Sequence, residues 1–297
     1  MKTLSSIHQT LKIERLLFSF LLIIAQLVGT ASVVFTAKAA PDAGPSPVPL
    51  TATPGPENWS TAWTGTSFNA PILDIVVDAA GKIYAGGTFT SPTNYLATWN
   101  GSAWTNLGST GFTGNVLDLA LDSNGSLYAA GSFVNMGPCW ASGPGPCSGF
   151  VRWDGTAWNS YGTIIGTVQT ILVVNPNLIY IGGNFSASPC TNGMCYNLAY
   201  WNGSAWVGLP GVNGTVYSLA KDSTGKVYAG GDFSAPCVGS NCGYLLSWNG
   251  SAFSSLGAGV SGIVNALAVE PSDHLIAGGS FTASGGCSLS QCRYIAH

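Results

Sequence analysis

Residues 99–104 read WNGSAW, and residues 201–206 repeat the same six letters. Two variants accompany these copies: WDGTAW at 153–158 and WNGSAF at 248–253. Asn-Gly and Asp-Gly are strong signals for a β-hairpin, because both central residues of its tight turn need a positive φ. The sequence therefore predicts one hairpin per copy, with the Asn-Gly or Asp-Gly dipeptide as a two-residue loop.

The aromatic residues of each copy are predicted to share one face of their hairpin. A two-residue loop would set Ala97 opposite Trp104 and would leave Trp99 diagonal to Trp104, within packing distance. In the last copy Leu246 takes the small position and Phe253 replaces the second tryptophan, which keeps the volume of a packed core. We expect these aromatics to pack between repeats; an exposed platform for sugar stacking is the alternative.

Each copy belongs to a longer repeat. An apolar residue opens every unit, and fourteen residues later comes a small residue followed by glycine. Successive units begin 44, 52, 48 and 48 residues apart, which is the size of one propeller blade. The opening residues are Ile72, Val116, Val168, Val216 and Val264.

Each unit holds four short strand-like runs separated by turn signals, as β-strands require. The first turn is Asp-x-x-Gly at 78–81, and it recurs at 122–125 and 222–225. In the first unit the runs are ILDIVVD (72–78), KIYAGGTF (82–89), YLATW (95–99) and SAWTNLG (102–108).

The pattern Val-x-x-Leu-Ala-x-Asp-x-x-Gly-x-Leu-Tyr-Ala-Gly-Gly-x-Phe, followed by Trp-Asn-Gly-x-x-Trp, resembles the kelch-like and delta-60-type β-propeller repeats of secreted bacterial proteins. The resemblance covers residues 57–297. It implies an all-β propeller of four-stranded antiparallel blades, and five units predict five blades. It implies no single function, since propellers host many.

The fifth unit ends at Tyr294-Ile-Ala-His297, after three strands. The stretch ENWSTAWTGTSF (57–68) carries Trp63 where a fourth-strand tryptophan would stand. We predict that this N-terminal strand completes the last blade and removes its open edge, with Ala296 opposite Trp63. The alternative is that the chain is a piece of a longer propeller.

The N-terminus has the form of an export signal. Basic residues precede an apolar run from 16 to 36, and Ala37-Lys38-Ala39 supplies a small-x-small cleavage site. We predict a signal peptide over 1–39; an uncleaved membrane anchor is the alternative, because the run could span a bilayer. A proline-rich linker follows over 40–56. The expected location is extracellular or at the cell surface.

The composition limits the kinds of partner that the chain could bind. Only 7% of the 297 residues are charged. The basic residues after position 39 are scattered, so no cationic patch could neutralise phosphates, and nucleic-acid binding is excluded. We expect a monomer without a cofactor or a metal site. The basic residues are Lys82, Arg152, Lys221, Lys226 and Arg293.

Eight cysteines form four local pairs, each between the second and third strands of a unit. An even count in an exported chain predicts disulfides. A zinc site is the alternative, but one pair supplies only two of four ligands. The predicted pairs are Cys139–Cys147, Cys190–Cys195, Cys237–Cys242 and Cys287–Cys292.

The stapled loops differ from unit to unit while the framework repeats. Variable loops on a rigid scaffold tend to carry binding residues. Met136, Trp140 and Met194 are apolar candidates for ligand contact in these loops, with local packing as the alternative reading.

Histidine-based catalysis is not expected. Beyond the export signal, His274 lies in a first turn and His297 at the terminus, so neither a nucleophilic triad nor a copper site of the galactose oxidase type can be assembled from them. The repeated acids Asp78, Asp122 and Asp222 are expected to cap turns. Calcium binding there is the alternative, although the full ligand pattern is missing.

Asp74 and Asp118 share the third position of the first strand in two successive units. If that strand is innermost, both could line the central channel and hold a cation or a sugar hydroxyl. The prediction is a non-enzymatic binding or scaffold protein that recognises a protein or a glycan through its propeller loops. The alternatives are a glycosidase or lyase that uses these two acids, and a purely structural repeat of the cell surface.

Overall fold

The computed structural model describes residues 67–108, 111–134, 147–193, 195–209, 211–237, 240–282 and 294–296, and of 236–237 and 240–242 it describes the backbone alone. All regular structure in these ranges is β-sheet. None of the described residues form a helix that could cross a membrane.

The strands fall into five antiparallel sheets, which we call blades one to five. Blade one contains β1 (Ile72–Val77), β2 (Ile83–Gly87), β3 (Leu96–Trp99) and β4 (Trp104–Thr105). Blade two contains β5 (Val116–Leu121), β6 (Leu127–Gly131), β7 (Phe150–Trp153) and β8 (Trp158–Ser160). Blade three contains β9 (Thr163–Asn175), β10 (Leu178–Ser188), β11 (Tyr196–Trp201) and β12 (Trp206–Gly208).

Blade four contains β13 (Thr215–Lys221), β14 (Val227–Cys237), β15 (Ser240–Trp248) and β16 (Phe253–Ser254). Blade five contains β17 (Val264–Val269), β18 (Leu275–Gly279) and β19 (Ile295–Ala296). In every blade the strands lie side by side in chain order. The first strands of all five blades line one central channel, so the blades stand in a ring. The prediction of a five-bladed β-propeller is confirmed.

The small-Gly doublet marks where blades approach each other. A Cβ on Gly86 would lie 2.6 Å from Cγ1 of Val116 in the next blade, and a Cβ on Gly182 would lie 2.6 Å from Cγ1 of Val216. The second glycine of the doublet lies close to the backbone at the start of the first strand of its own blade. A Cβ on Gly87, for example, would lie 2.2 Å from the carbonyl oxygen of Pro71. Blades one, three and four therefore use glycine as the first residue of the doublet because the opening valine of the next blade fills that space, while blade two has Ala130.

Four clusters of buried side chains fill the junctions between successive blades. The first joins Tyr84 and Leu96 of blade one to Val116 and Leu119 of blade two, and the other three repeat this arrangement. A fifth cluster is built from blade one and the segment before it, where Phe68 packs edge-on against neighbouring aromatic rings. The expectation that the repeated aromatics pack between blades is confirmed for Trp158, Trp206 and Phe253, which are 0–7% exposed, whereas Trp104 is buried in the fifth cluster.

The predicted register of the WNGSAW hairpin is wrong. Trp99 pairs directly with Trp104, so the loop has four residues instead of two, and Ala97 is diagonal to Trp104. The reason is the Asn100 side chain, whose Oδ1 accepts hydrogen bonds from the backbone N–H groups of Ser102 and Ala103 at 2.9 Å each. The two tryptophan rings still pack, with centroids 5.5 Å apart.

Several predictions fall on residues outside the described ranges. These are the signal peptide, the linker and the completing strand with Trp63. The pairing of Ala296 with Trp63 is therefore untested, and it stays a prediction.

Candidate functional site

The central channel is the cavity to which all five blades contribute. Its volume is about 310 Å³. The side chains reach it from the second, third and fourth positions of the innermost strands. The second-position residues are Leu73, Leu117, Gln169, Tyr217 and Asn265.

The second position varies in both size and polarity between blades. The first position is always Ile or Val and the fourth is always Ile or Leu. The second position carries two leucines, a glutamine, a tyrosine and an asparagine. At the second position the channel is therefore apolar in blades one and two, where Asp118 adds a carboxylate from the third position, and it presents neutral hydrogen-bonding groups in blades three to five.

Asp74 and Asp118 sit at β-bulges. The register of the inner strand pair shifts between Ile72 and Asp74, and again between Val116 and Asp118. A bulge re-aims a side chain away from the alternation of a regular strand. Both carboxylates are buried: Asp74 is 5% exposed and Asp118 is 2% exposed.

Each of these carboxylates ties its blade to the next one. Asp74 Oδ2 accepts a hydrogen bond from the backbone N–H of Leu119 at 2.7 Å. Asp118 Oδ2 accepts one from the N–H of Ile171 at 2.6 Å. Asp118 also borders the channel, whereas Asp74 is not among the residues that line it. The inter-blade bond is a role that the sequence did not reveal.

The same position makes a similar tie in blade four. Ser218 Oγ accepts a hydrogen bond from the N–H of Leu267 at 3.0 Å. In blades one, two and four the third position therefore supplies a side-chain oxygen, carboxylate or hydroxyl, to a backbone N–H of the next blade. An acid at this position has a structural use whether or not a ligand enters the channel.

The repeated turn acids cap their turns, as predicted. Asp78 Oδ1 accepts hydrogen bonds from the backbone N–H groups of Ala80 and Lys82 at 2.9 Å each. Its Oδ2 accepts a further bond from the Tyr84 hydroxyl at 3.2 Å. Burial, together with the Asp78 charge and this bond, raises the pKa of Tyr84 to about 12.

The turns of blades two and four repeat this arrangement. The Tyr128 hydroxyl donates to Asp122 at 3.1 Å and the Tyr228 hydroxyl donates to Asp222 at 2.9 Å. In the fifth blade Glu270 lies 3.7 Å from His274. Among the described residues no group of three or more His, Cys, Asp or Glu side chains is placed to hold a metal ion.

One predicted disulfide is confirmed, between Cys190 and Cys195, whose Cα atoms lie 5.9 Å apart. Cys147 is also disulfide-bonded. The remaining members of the predicted pairs and the loop candidates fall outside the described side chains, so they stay predictions: Cys139, Cys237, Cys242, Cys287, Cys292, Met136, Trp140 and Met194.

The sequence reasoning missed the second-position residues. Their signal was present in the repeat, because the first and fourth positions stay Ile, Val or Leu while this one changes in polarity and size. Asp74 and Asp118, at the third position, were predicted as binding candidates instead because they are charged.

A scan of the chain against protein-family models found no match, and a search of curated proteins found none either. The assignment to the five-bladed β-propellers therefore rests on the five sheets and the shared channel.

Proposed function

We propose that the chain is a non-enzymatic extracellular binding protein on a kelch-like or delta-60-type propeller. It takes an uncharged partner, a glycan or a protein segment, at the mouth of the channel and on the adjoining loop face. By loop face we mean the end of the ring where the second and third strands of each blade are connected. The observation that carries this proposal is the second position of the innermost strands, where side chains of four different kinds from five blades meet in one channel.

The chemistry of the lining indicates the kind of ligand. Leu73 and Leu117 offer an apolar wall, and Gln169, Tyr217 and Asn265 offer amide and phenol groups without charge. Binding sites of this kind combine apolar contact with a few placed polar groups. A neutral ligand with an apolar face and hydroxyl or amide groups fits this division.

The engagement of the two acids supports binding over hydrolysis. A paired-carboxylate hydrolase needs one carboxyl group that gives a proton and another that attacks or activates water. One oxygen of Asp74 and one of Asp118 already accept a backbone N–H of the following blade. The glycosidase or lyase alternative remains the second candidate because Asp118 borders the channel.

The binding test uses the oxidised chain on a panel of immobilised glycans and peptides. Tyr217→Ala and Gln169→Ala are expected to weaken binding about tenfold or more, as loss of a central contact does. Val77→Ala, an exposed residue beside the first turn of blade one and outside the channel lining, is the control. Equal binding by all variants would rule out the channel mouth. Turnover of a polysaccharide that disappears in Asp118→Asn would establish the enzyme instead.

Export is part of the same proposal. The Cys190–Cys195 disulfide fits an oxidising compartment, where such bonds persist. Expression of the full chain with its own N-terminus, followed by mass spectrometry of the released protein, is expected to give a mature chain that begins at Ala40. Retention of residues 1–39 in the membrane fraction would support the anchor alternative.

A further inference from the structure

The two inner strands of blade three extend farther toward the loop face than those of the other described blades. Their ladder continues beyond the pair of Val168 and Gly183 through five more pairs, to Thr163 and Ser188. In blade one the corresponding pairing starts at Ile72. Blade three therefore continues as regular β-sheet at its first strand, where blade one has a connection.

The two faces of this extension differ. Ile164 and Phe185 point into the core shared with blade two and are 2% and 4% exposed. On the opposite face Ile165 is 69% exposed and Tyr196 is 55% exposed. Large apolar side chains at such exposure, held on a regular sheet, are worth explaining.

These exposed side chains border a trough. Ser186 pairs with Ile165 on one neighbouring strand and with Tyr196 on the other, so the three form one row. Strands lie about 4.8 Å apart, which sets the two walls roughly 10 Å from each other. Thr167 and Asn184 form the next row of the floor. The cavity above them measures about 530 Å³.

The wall that carries Tyr196 is fixed on both sides along the chain. Cys195 precedes it and is bonded to Cys190. Asn197 follows it in a left-handed conformation with a φ of 60°, and its Nδ2 donates a hydrogen bond to the carbonyl of Val212 at 3.0 Å. The aromatic ring is therefore presented from a preorganised backbone, which lowers the cost of binding.

The floor offers side-chain groups and little free backbone. The middle strand, β10, pairs with β9 on one side and β11 on the other at Ser186. An extended peptide would gain affinity chiefly by pairing with free backbone groups. The hydroxyl of Ser186 and the amide of Asn184 instead suit a ligand that brings its own hydroxyl groups.

We propose that this trough binds a neutral saccharide, with one sugar face on the Tyr196 ring and hydroxyl groups toward Asn184 and Ser186. No residue that lines it is charged, so an ionic ligand would find no counter-charge. The trough shares no lining residue with the channel, so this site goes beyond the proposed function and does not depend on it.

The test uses saturation-transfer difference NMR with hexamers of β-1,4-linked glucose, β-1,4-linked N-acetylglucosamine and α-1,6-linked mannose. At least one hexamer is expected to bind the wild-type chain through ring protons. Tyr196→Ala should lower its affinity about tenfold or more, and Tyr196→Phe should keep it within about threefold, because the ring carries the contact. Val77→Ala, outside both the trough and the channel, should leave it unchanged, and Tyr217→Ala is measured beside it to report on the channel.

Circular dichroism and thermal melting check that Tyr196→Ala folds, which its exposure leads us to expect. Three results would overturn the saccharide site: no hexamer binds at millimolar concentration, binding survives Tyr196→Ala, or only Tyr217→Ala abolishes binding. In the last case the channel binds sugar and the trough does not.

Discussion

The junction between blades one and two and the junction between blades five and one use the same repeat and differ in burial. At the fourth position of β5, Leu119 is 0% exposed, and its equivalents in blades three to five are at most 1% exposed. At the fourth position of β1, Ile75 is 44% exposed. We call the junction between blades five and one the closing junction.

Hydrogen bonding differs in the same way. At the first junction the N–H of Leu119 donates to Asp74 of the preceding blade. At the closing junction the preceding blade offers Ala266, which has no side-chain acceptor, and the N–H of Ile75 donates instead to Oδ1 of Asp74, its own neighbour in the chain, at 2.7 Å. The tie between blades is replaced by a local bond.

On the blade-five side of the closing junction, an apolar side chain is also more exposed than its equivalent in blade one. Ile295 is 50% exposed, while Leu96, at the matching position of blade one, is 2% exposed. Ile276 stands where blades one to four carry a tyrosine. Because β1 is as apolar as β5, the difference in burial does not come from the repeat sequence. It comes from the junction that each strand forms with the preceding blade.

The largest expected effect comes from matched truncations at the fourth position. Leu119→Ala removes a fully buried side chain and leaves a cavity, so we expect a loss of about 2–5 kcal/mol in the free energy of unfolding. Ile75→Ala at the closing junction should cost less than about 1 kcal/mol. Guanidinium unfolding of both variants measures this. Equal losses would mean that the closing junction is packed in solution like the first.

The second largest effect on stability is expected from the hydrogen bonds that join successive blades. Asp118→Ala leaves the buried N–H of Ile171 without its acceptor, which should cost about 1–3 kcal/mol. Asp118→Asn keeps an oxygen at the position and should recover part of that loss. Ala266→Ser adds a hydroxyl at the closing junction and should change stability by less than about 0.5 kcal/mol. A clear gain in the free energy of unfolding for Ala266→Ser would show that blades five and one lie within hydrogen-bonding distance at the closing junction.

A smaller effect should appear at high pH. Burial, followed by the hydrogen bond to Asp222, raises the pKa of Tyr228 to about 12, above its ordinary value of 10.0. The folded chain keeps this proton where the unfolded chain has lost it, so the stabilisation is present below pH 10 and disappears as the pH rises toward 12.

Tyr228→Phe tests this by removing the titrating hydroxyl. Denaturant midpoints at a series of pH values between 9 and 12 should then fall less steeply than in the wild-type chain. An unchanged slope would assign the alkaline loss to other groups. Ile276→Ala, at the matching position of blade five, is the control that leaves the titration of Tyr228 intact.

The smallest effect is expected in a hairpin turn away from the junctions. Backbone N–H groups of Ala157 and Thr156 hold the pKa of Asp154 well below its ordinary value of 3.8. Their contribution is therefore present at neutral pH and is lost as the pH falls below that value. Asp154→Asn, the residue found in the other copies, should match the wild-type denaturant midpoint at pH 7 and differ only in acid. A large loss at pH 7 would show that this turn supports a junction.

Local rules made much of the fold predictable. The period of the repeat, the Asp-x-x-Gly turns and the disulfide between Cys190 and Cys195 follow from residues close together in the chain. The hairpin register did not, because the choice between a two-residue and a four-residue loop depends on how Asn100 uses its side chain. Both loop lengths leave the same side chains on each face of the hairpin, so the alternation of apolar residues does not distinguish them.

The site was less predictable than the fold. The channel-facing second position and the trough beside Tyr196 depend on where a blade ends and which neighbour covers it. Charge drew the sequence reasoning to Asp118, whose carboxylate is bound to Ile171, fifty-three residues away.

The sequence by itself determined the five units, their strands and their turns, because steric limits on φ and the alternation of side chains act within a few residues. Only the tertiary structure decided which apolar faces are buried, which carboxylates tie blades together and which side chains meet in the channel. Those outcomes join residues more than forty positions apart, and at the closing junction the same apolar pattern of β1 is left partly in water because its neighbour differs.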